Sequence, residues 1–163
     1  GTDYGQFLQE NVFRPLDMQD TGYDDPDLVL KNRASGYRVT DDGDLEHATY
    51  IHMSVPHAAG GLYSTVEDLY RWDRALYADA LVSKPTLERM FTPHMADYGY
   101  GWRIKEGPGR TGIGHSGDIN GFASFMVRFV DDEIVVVVLS NIENAPFDKI
   151  VPGLLSMTFA KST

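Results

Sequence analysis

Gly121-Phe122-Ala123-Ser124-Phe125-Met126-Val127-Arg128-Phe129-Val130, then Asp131-Asp132, then Glu133-Ile134-Val135-Val136-Val137-Val138-Leu139-Ser140: this stretch decides the fold. It reads as two strands joined at the aspartate pair, and so as an antiparallel hairpin. Positions 135–138 are all apolar, so that strand is expected to be central in its sheet and covered on both sides. Upstream, 98–104 suits a strand despite its glycines. The link Gly107-Pro108-Gly109 leads from there to Thr111-Gly112-Ile113-Gly114-His115. Downstream, Phe147, Ile150, Val151, Leu154, Leu155 and Phe159 mark a last helix over 146–160, with a kink or restart expected at Pro152.

Before residue 93 the pattern is helical and turn-rich. Asp3 and its neighbours can cap a helix to about Phe13, where Pro15 stops it. The segments 37–39 and 45–47 flank Asp42-Gly43 and predict a small hairpin. Residues 48–62 read as a loop ending in Gly60-Gly61. Ser64-Thr65-Val66-Glu67 predicts a capping box, with Ser64 accepting from the Glu67 amide, at the head of a helix to about Ala78. Ser83 and Pro85 start a shorter helix to about Phe91. The fold class is therefore α+β: a helical and loop region (1–95), then antiparallel strands closed by a C-terminal helix (96–163).

Composition narrows the functions. The 163 residues carry a net charge of −10, which repels nucleic acid phosphates, and the basic residues are scattered. No apolar run approaches the ~20 residues of a membrane span. Cysteine is absent, which removes disulfide and thiolate chemistry. His47, His52 and His57 recur every five residues, a spacing that suits one face of neither a helix nor a strand, so no metal site is expected. The glycines at 107, 109, 112 and 114 lack the helix and lysine of a phosphate loop, and no cofactor is implied.

The chemistry concentrates in Gly114-His115-Ser116-Gly117-Asp118-Ile119-Asn120-Gly121-Phe122. A His-Ser-Gly on a strand edge can offer an imidazole, a hydroxyl, or main-chain N–H groups to a developing oxyanion. Gly117 lets a substrate approach the backbone closely. Ser116 as a nucleophile fits poorly: Asp118 stands where G-x-S-x-G needs glycine, and adjacent strand residues point to opposite faces.

Taken together, several segments resemble the serine β-lactamase, D-alanyl-D-alanine carboxypeptidase and esterase family. Residues 7–18 with Thr21-Gly22-Tyr23 resemble its f-x-P-L-G-M-x-x-T stretch, with Asp17 in place of the usual Gly. Gly60-Gly61-Leu62-Tyr63-Ser64-Thr65 with Asp68 resembles its GG-l-x-ST-x-x-D helix entry. Tyr98-Gly99-Tyr100-Gly101-Trp102, His115-Ser116-Gly117 with Gly121-Phe122, and Leu139-Ser140-Asn141 follow in family order. The resemblance runs from about residue 4 to residue 160.

The departures are as informative. No Ser has a Lys three residues on, and neither Tyr-x-Asn nor Ser-x-Asn occurs. In the family both motifs precede the stretch matched by 7–18. The resemblance therefore implies the C-terminal part of an amide or ester hydrolase working through an acyl-enzyme, inactive alone. His115, Ser116 and Gly117 would line the cleft, the Asp118 N–H would form half of the oxyanion hole, Gly121 and Phe122 would complete the motif, and Asn144 would touch substrate. His in place of the family's Lys points towards peptidases and esterases, acting on a small molecule or peptide. The two regions would belong to the helical and α/β subdomains, and the family suggests a periplasmic or extracellular setting. Without the upstream strands and helix, an edge and an apolar face would be exposed, so the N-terminal half or a second copy is the expected partner. Two other readings stay open: a catalytically silent scaffold or binding module, and a small autonomous esterase using Ser116.

Overall fold

The computed structural model describes residues 1–160 apart from Asp79 and Pro108. Pro108 of the glycine-rich link, and 161–163 of the second region, lie outside the described residues. The architecture is mixed α and β, with antiparallel sheets and a C-terminal helix.

Helix α1 (Tyr4–Leu8) starts at Asp3, whose carboxylate accepts from the Gly5 and Gln6 amides. Beyond it the chain winds as a π-helical turn over Gln9–Phe13, not as the plain helix expected. Pro15 has no N–H for the carbonyl of residue 11, and its ring crowds that turn. Arg14 accordingly donates five residues back, to Gln9 O at 3.0 Å.

Two short ladders follow. β1 (Gly22–Tyr23) pairs with β4 (Leu62–Tyr63), and β2 (Tyr37–Val39) pairs with β3 (Leu45–His47) as the expected hairpin. α2 (Val66–Ala75) ends earlier than its spacing predicted, and its cap differs too. Thr65, not Ser64, is the N-cap, its Oγ1 accepting the Asp68 amide at 3.2 Å. Ser64 is drawn away by Thr21, with the two hydroxyl oxygens 2.7 Å apart. Asp68 is buried and accepts from the Thr21 hydroxyl and the Asp20 N–H, both at 2.8 Å, which fastens that loop to the helix. α3 (Lys84–Met90) carries its proline in the first turn, where a missing N–H costs nothing.

The main sheet is β5 (Arg103–Gly107), β6 (Arg110–Ile119), β7 (Phe122–Phe129) and β8 (Ile134–Ser140), antiparallel and in that spatial order. The strand expected over 98–104 starts only at Arg103. Residues 99–101 turn instead: a side chain on Gly99 would sit 2.2 Å from Met90 O, and Gly101 holds φ +78°. β8 is not central. It is the last strand of this sheet, although α2 and α4 (Phe147–Ala160) pack against it. An apolar run reports two covered faces, and it says nothing of whether both edges are paired. α4 runs through Pro152 as one element, without the expected restart.

The two faces of the sheet are filled differently. Towards α2 and α3, Leu76, Leu87, Trp102, Ile104 and Ile113 form the core, with Trp72 stacked on Trp102 at 5.4 Å. Arg128 enters the same face fully buried, its Nε 3.0 Å from Asp73 Oδ1 but off the hydrogen-bond axis. Tyr77 and Phe91 lie 4.6 and 5.3 Å from its guanidinium. Asp73 Oδ2 takes Arg74 at 2.6 Å. Burial, the largest influence on Arg74, would lower its pKa, but Asp73, Tyr77 and Tyr70 together hold it above its ordinary value. Towards α4, Phe125 meets Phe147 and Phe129 meets Phe159, leaving a trough of 550 Å³ beside them.

Candidate active site

β5 is shorter than β6, and that mismatch shapes the candidate site. Their ladder runs from Gly107 opposite Arg110 to Arg103 opposite Gly114 and stops there. On the other side, β7 pairs with β6 all the way to Ile119. Among the described residues, the outer edge of β6 beyond Gly114 is therefore unpaired by any strand. His115, Ser116, Gly117 and Asp118 occupy it, and all four are exposed. An open strand edge presents main-chain donors and acceptors to whatever lies beside it.

Alternation divides the side chains. His115 shares a face with Ile113 and Gly117, while Ser116 falls with Gly114 on the other. A Cβ at Gly117 would lie 2.7 Å from Ser124 Oγ, so the glycine keeps this face thin. The His115 ring has two close partners: Nε2 lies 2.7 Å from the Tyr98 hydroxyl, and Nδ1 lies 2.6 Å from Ser116 O.

The turn after β6 is fixed from three sides. Gly121 takes φ +84° and comes so close to Gly36 that a Cβ would lie 2.7 Å from its Cα. The Gly121 N–H donates to Glu143 Oε1 at 2.8 Å, and Asn120 Nδ2 donates to Thr49 O at 3.0 Å. The 141–143 loop is itself stitched to the start of β2: Tyr37 N donates to Asn141 O, and Glu143 N to Tyr37 O. Asn144, the next residue, is exposed with φ +53°. Phe122 and Asn120 line a 320 Å³ cavity together with Arg33, His47, Thr49 and Tyr50.

The structure thus gathers 115–118 on one strand, puts Gly121 in the turn after it and Phe122 at the start of β7, and leaves Asn144 on the neighbouring loop. Sequence reasoning missed Tyr98 and Glu143 as parts of this arrangement. The other histidines are dispersed: His47 stacks on Tyr37 at 4.9 Å, His52 Nδ1 meets Ser54 Oγ at 2.8 Å, and His57 lies 5.0 Å from Tyr4. Burial first, then Tyr23, pushes the Tyr4 phenol above its ordinary pKa. Among the described residues no group of three His, Cys, Asp or Glu could hold a metal ion, and no helix is long and apolar enough to cross a membrane.

The family model described as Beta-lactamase matches residues 1–154. The chain belongs to the beta-lactamase family. Penicillin-binding protein 4* of Bacillus subtilis strain 168 is 31% identical, over 88% of this chain and 36% of its own length. The D-aminopeptidase of Brucella ovis is 25% identical, over 91% of this chain and 29% of its own. Among solved structures, the octameric penicillin-binding protein homologue from Pyrococcus abyssi superposes with a TM-score of 0.85 at 25% identity, over 98% of this chain and 38% of that one. The chain thus spans roughly a third of the length of these beta-lactamase-family relatives. Within that length it carries the His-Ser-Gly strand, and no S-x-x-K.

Proposed function

We propose that this chain is the C-terminal portion of a serine hydrolase that cleaves amides or esters through an acyl-enzyme, and that it is inactive without an upstream portion. The observation that carries the reading is the half-open β6: paired with β5 up to Gly114, then unpaired where the His-Ser-Gly motif begins. On this reading a serine from the upstream portion attacks the substrate carbonyl, and its leaving amine or alcohol departs as the acyl-enzyme forms. The Asp118 N–H and the nucleophile's own N–H hold the oxyanion, and water then releases the acid. His115, Ser116 and Gly117 line the cleft, and Gly121, Phe122 and Asn144 bound it. The likeness to a D-aminopeptidase favours small amides or short peptides with a D-residue as substrates.

The same reading divides the chain into a helical and loop region (1–95) and a sheet region (96–163). It assigns the apolar β8 edge and the trough beside α4 to the upstream portion. Against an autonomous esterase stands the geometry around Ser116: His115 projects from the other face, and its Nε2 is engaged by Tyr98.

The test is turnover of p-nitrophenyl acetate, nitrocefin and a D-alanine amide, by the 163-residue chain alone and mixed with the upstream portion expressed separately. The expected result is background alone and turnover when mixed. Turnover by the chain alone would overturn the fragment reading, and silence in both arms would favour a scaffold or binding module.

A further inference from the structure

The hydrogen bonds around His115 assign the tautomer of its neutral ring. Ser116 O is a carbonyl oxygen and can only accept, so the 2.6 Å contact requires a hydrogen on Nδ1. A neutral imidazole carries one such hydrogen, which leaves Nε2 as an acceptor. The Tyr98 hydroxyl, 2.7 Å away, is then the donor to it. The two rings meet edge to face, 5.6 Å apart at 80°, so the phenol approaches in a defined direction.

Tyr98 is well placed to impose this. It bridges to Met95 and to Arg103, the first residue of β5, and its carbonyl accepts the His94 N–H at 2.9 Å. The Arg103 guanidinium lies 5.6 Å from its ring centroid. Arg103 is also the residue at which the β5–β6 ladder stops, opposite Gly114. One anchor therefore ends the paired part of β6 and holds the phenol against the first residue of the unpaired part.

We propose that Tyr98 is a positioning residue that locks neutral His115 as the Nδ1–H tautomer, so that its imidazole lines the cleft as a fixed group and not as a free base. With Nδ1–H given to Ser116 O, the remaining ring lone pair of neutral His115, on Nε2, faces the Tyr98 hydroxyl and not a nucleophile in the cleft. Its role is to hold the edge of β6 through Ser116 O, in the orientation that the Tyr98 hydroxyl imposes. The catalytic consequence rests on the hydrolase reading above, and the tautomer assignment does not.

The test is nitrogen-15 NMR of the chain labelled at histidine, with His115 assigned through His115→Gln. The expected spectrum shows His115 as a single Nδ1–H tautomer. Tyr98→Phe should shift the ratio towards Nε2–H by about fivefold, the size of one lost hydrogen bond. A wild-type ring protonated at Nε2 would overturn the proposal, as would identical ring-nitrogen shifts in Tyr98→Phe. Should Tyr98→Phe fail to fold, the wild-type spectrum decides alone. In the reconstituted enzyme, Tyr98→Phe should lower kcat about five- to tenfold with KM little changed, and add little to His115→Gln. An effect on KM alone would overturn the positioning role. If mixing the portions yields no turnover while the tautomer is as assigned, the hydrolase reading fails and the assignment stands.

Discussion

Two open stretches of strand edge among the described residues, β6 beyond Gly114 and the outer side of β8, are built from opposite materials. Beyond Gly114 the edge of β6 carries His, Ser, Gly and Asp, all exposed, whereas β8 at the far side is apolar from Ile134 to Leu139 and reaches its one polar residue only at Ser140. An unpaired strand edge is a hazard for any protein unless something blunts or occupies it. Polar, glycine-containing residues suit an edge that meets water and passing ligands. The valine run of β8 reports two covered faces, and its unpaired outer main chain is open to a further strand. On the proposed reading this contrast is a division of labour: chemistry at the β6 edge, completion by the upstream portion at β8.

That contrast depends on β7 holding the two edges in one frame, and the largest expected effect comes from breaking it. Arg128 on β7 is buried against Asp73 of α2. Asp73→Ala should cost roughly 3–5 kcal/mol in urea unfolding, because it leaves a buried guanidinium uncompensated. The double change Asp73→Leu with Arg128→Met should recover most of that loss, since a well-packed apolar pair replaces a buried ion pair at little cost. A single-mutant loss as small as that of a surface pair, below about 1 kcal/mol, would mean that this pair does not tie helix to sheet.

The next effect separates the edges directly. Leu139 on β8 is 40% exposed, and Leu139→Lys should weaken association with the upstream portion, or with a second copy, by at least about tenfold, since a charge on an edge opposes pairing. Asp118→Lys on the β6 edge should leave association unchanged. Sedimentation velocity of both variants checks the pair, and equal losses would erase the distinction between the edges.

A smaller effect is expected at the turn that ends the polar edge. Glu143→Ala removes the acceptor of the Gly121 N–H and should cost about 1–3 kcal/mol. Glu143→Gln, which keeps a carbonyl oxygen, should restore part of it. Faster hydrogen exchange at Gly121 in the alanine variant alone would localise the loss to the turn.

Much of this frame was legible from residue pattern. The β7–β8 hairpin lies within a residue or two of where its two strand-like runs and the Asp131-Asp132 turn put it, and α4 follows its apolar spacing. What escaped were partnerships between distant segments. Ser64 and Thr65 are equally good caps locally, and only Thr21, 43 residues away, decides between them. Valines at 135–138 report burial of faces, so the edge position of β8 had no local signature. Tyr98 looked like part of a strand because nothing in its neighbourhood reveals that Gly99 and Gly101 turn the chain towards His115. Glu143 is one acid in a loop, distinguished only by an amide 22 residues upstream.

The smallest effect belongs to the hydroxyl that most invites a catalytic role. If the β6 edge acts through its backbone and through His115, Ser116 Oγ is a contributor and not the nucleophile. Ser116→Ala should then lower kcat/KM of the reconstituted enzyme by no more than about tenfold, the size of one hydrogen bond to substrate. Replacing the serine of an upstream S-x-x-K should instead abolish turnover, because no acyl-enzyme can form. The two serines are thus expected to differ by orders of magnitude, and steady-state kinetics on one ester substrate measures both. Ester hydrolysis that vanishes with Ser116→Ala would place the nucleophile on the β6 edge itself, and the polar edge would then be the whole active site and not half of one.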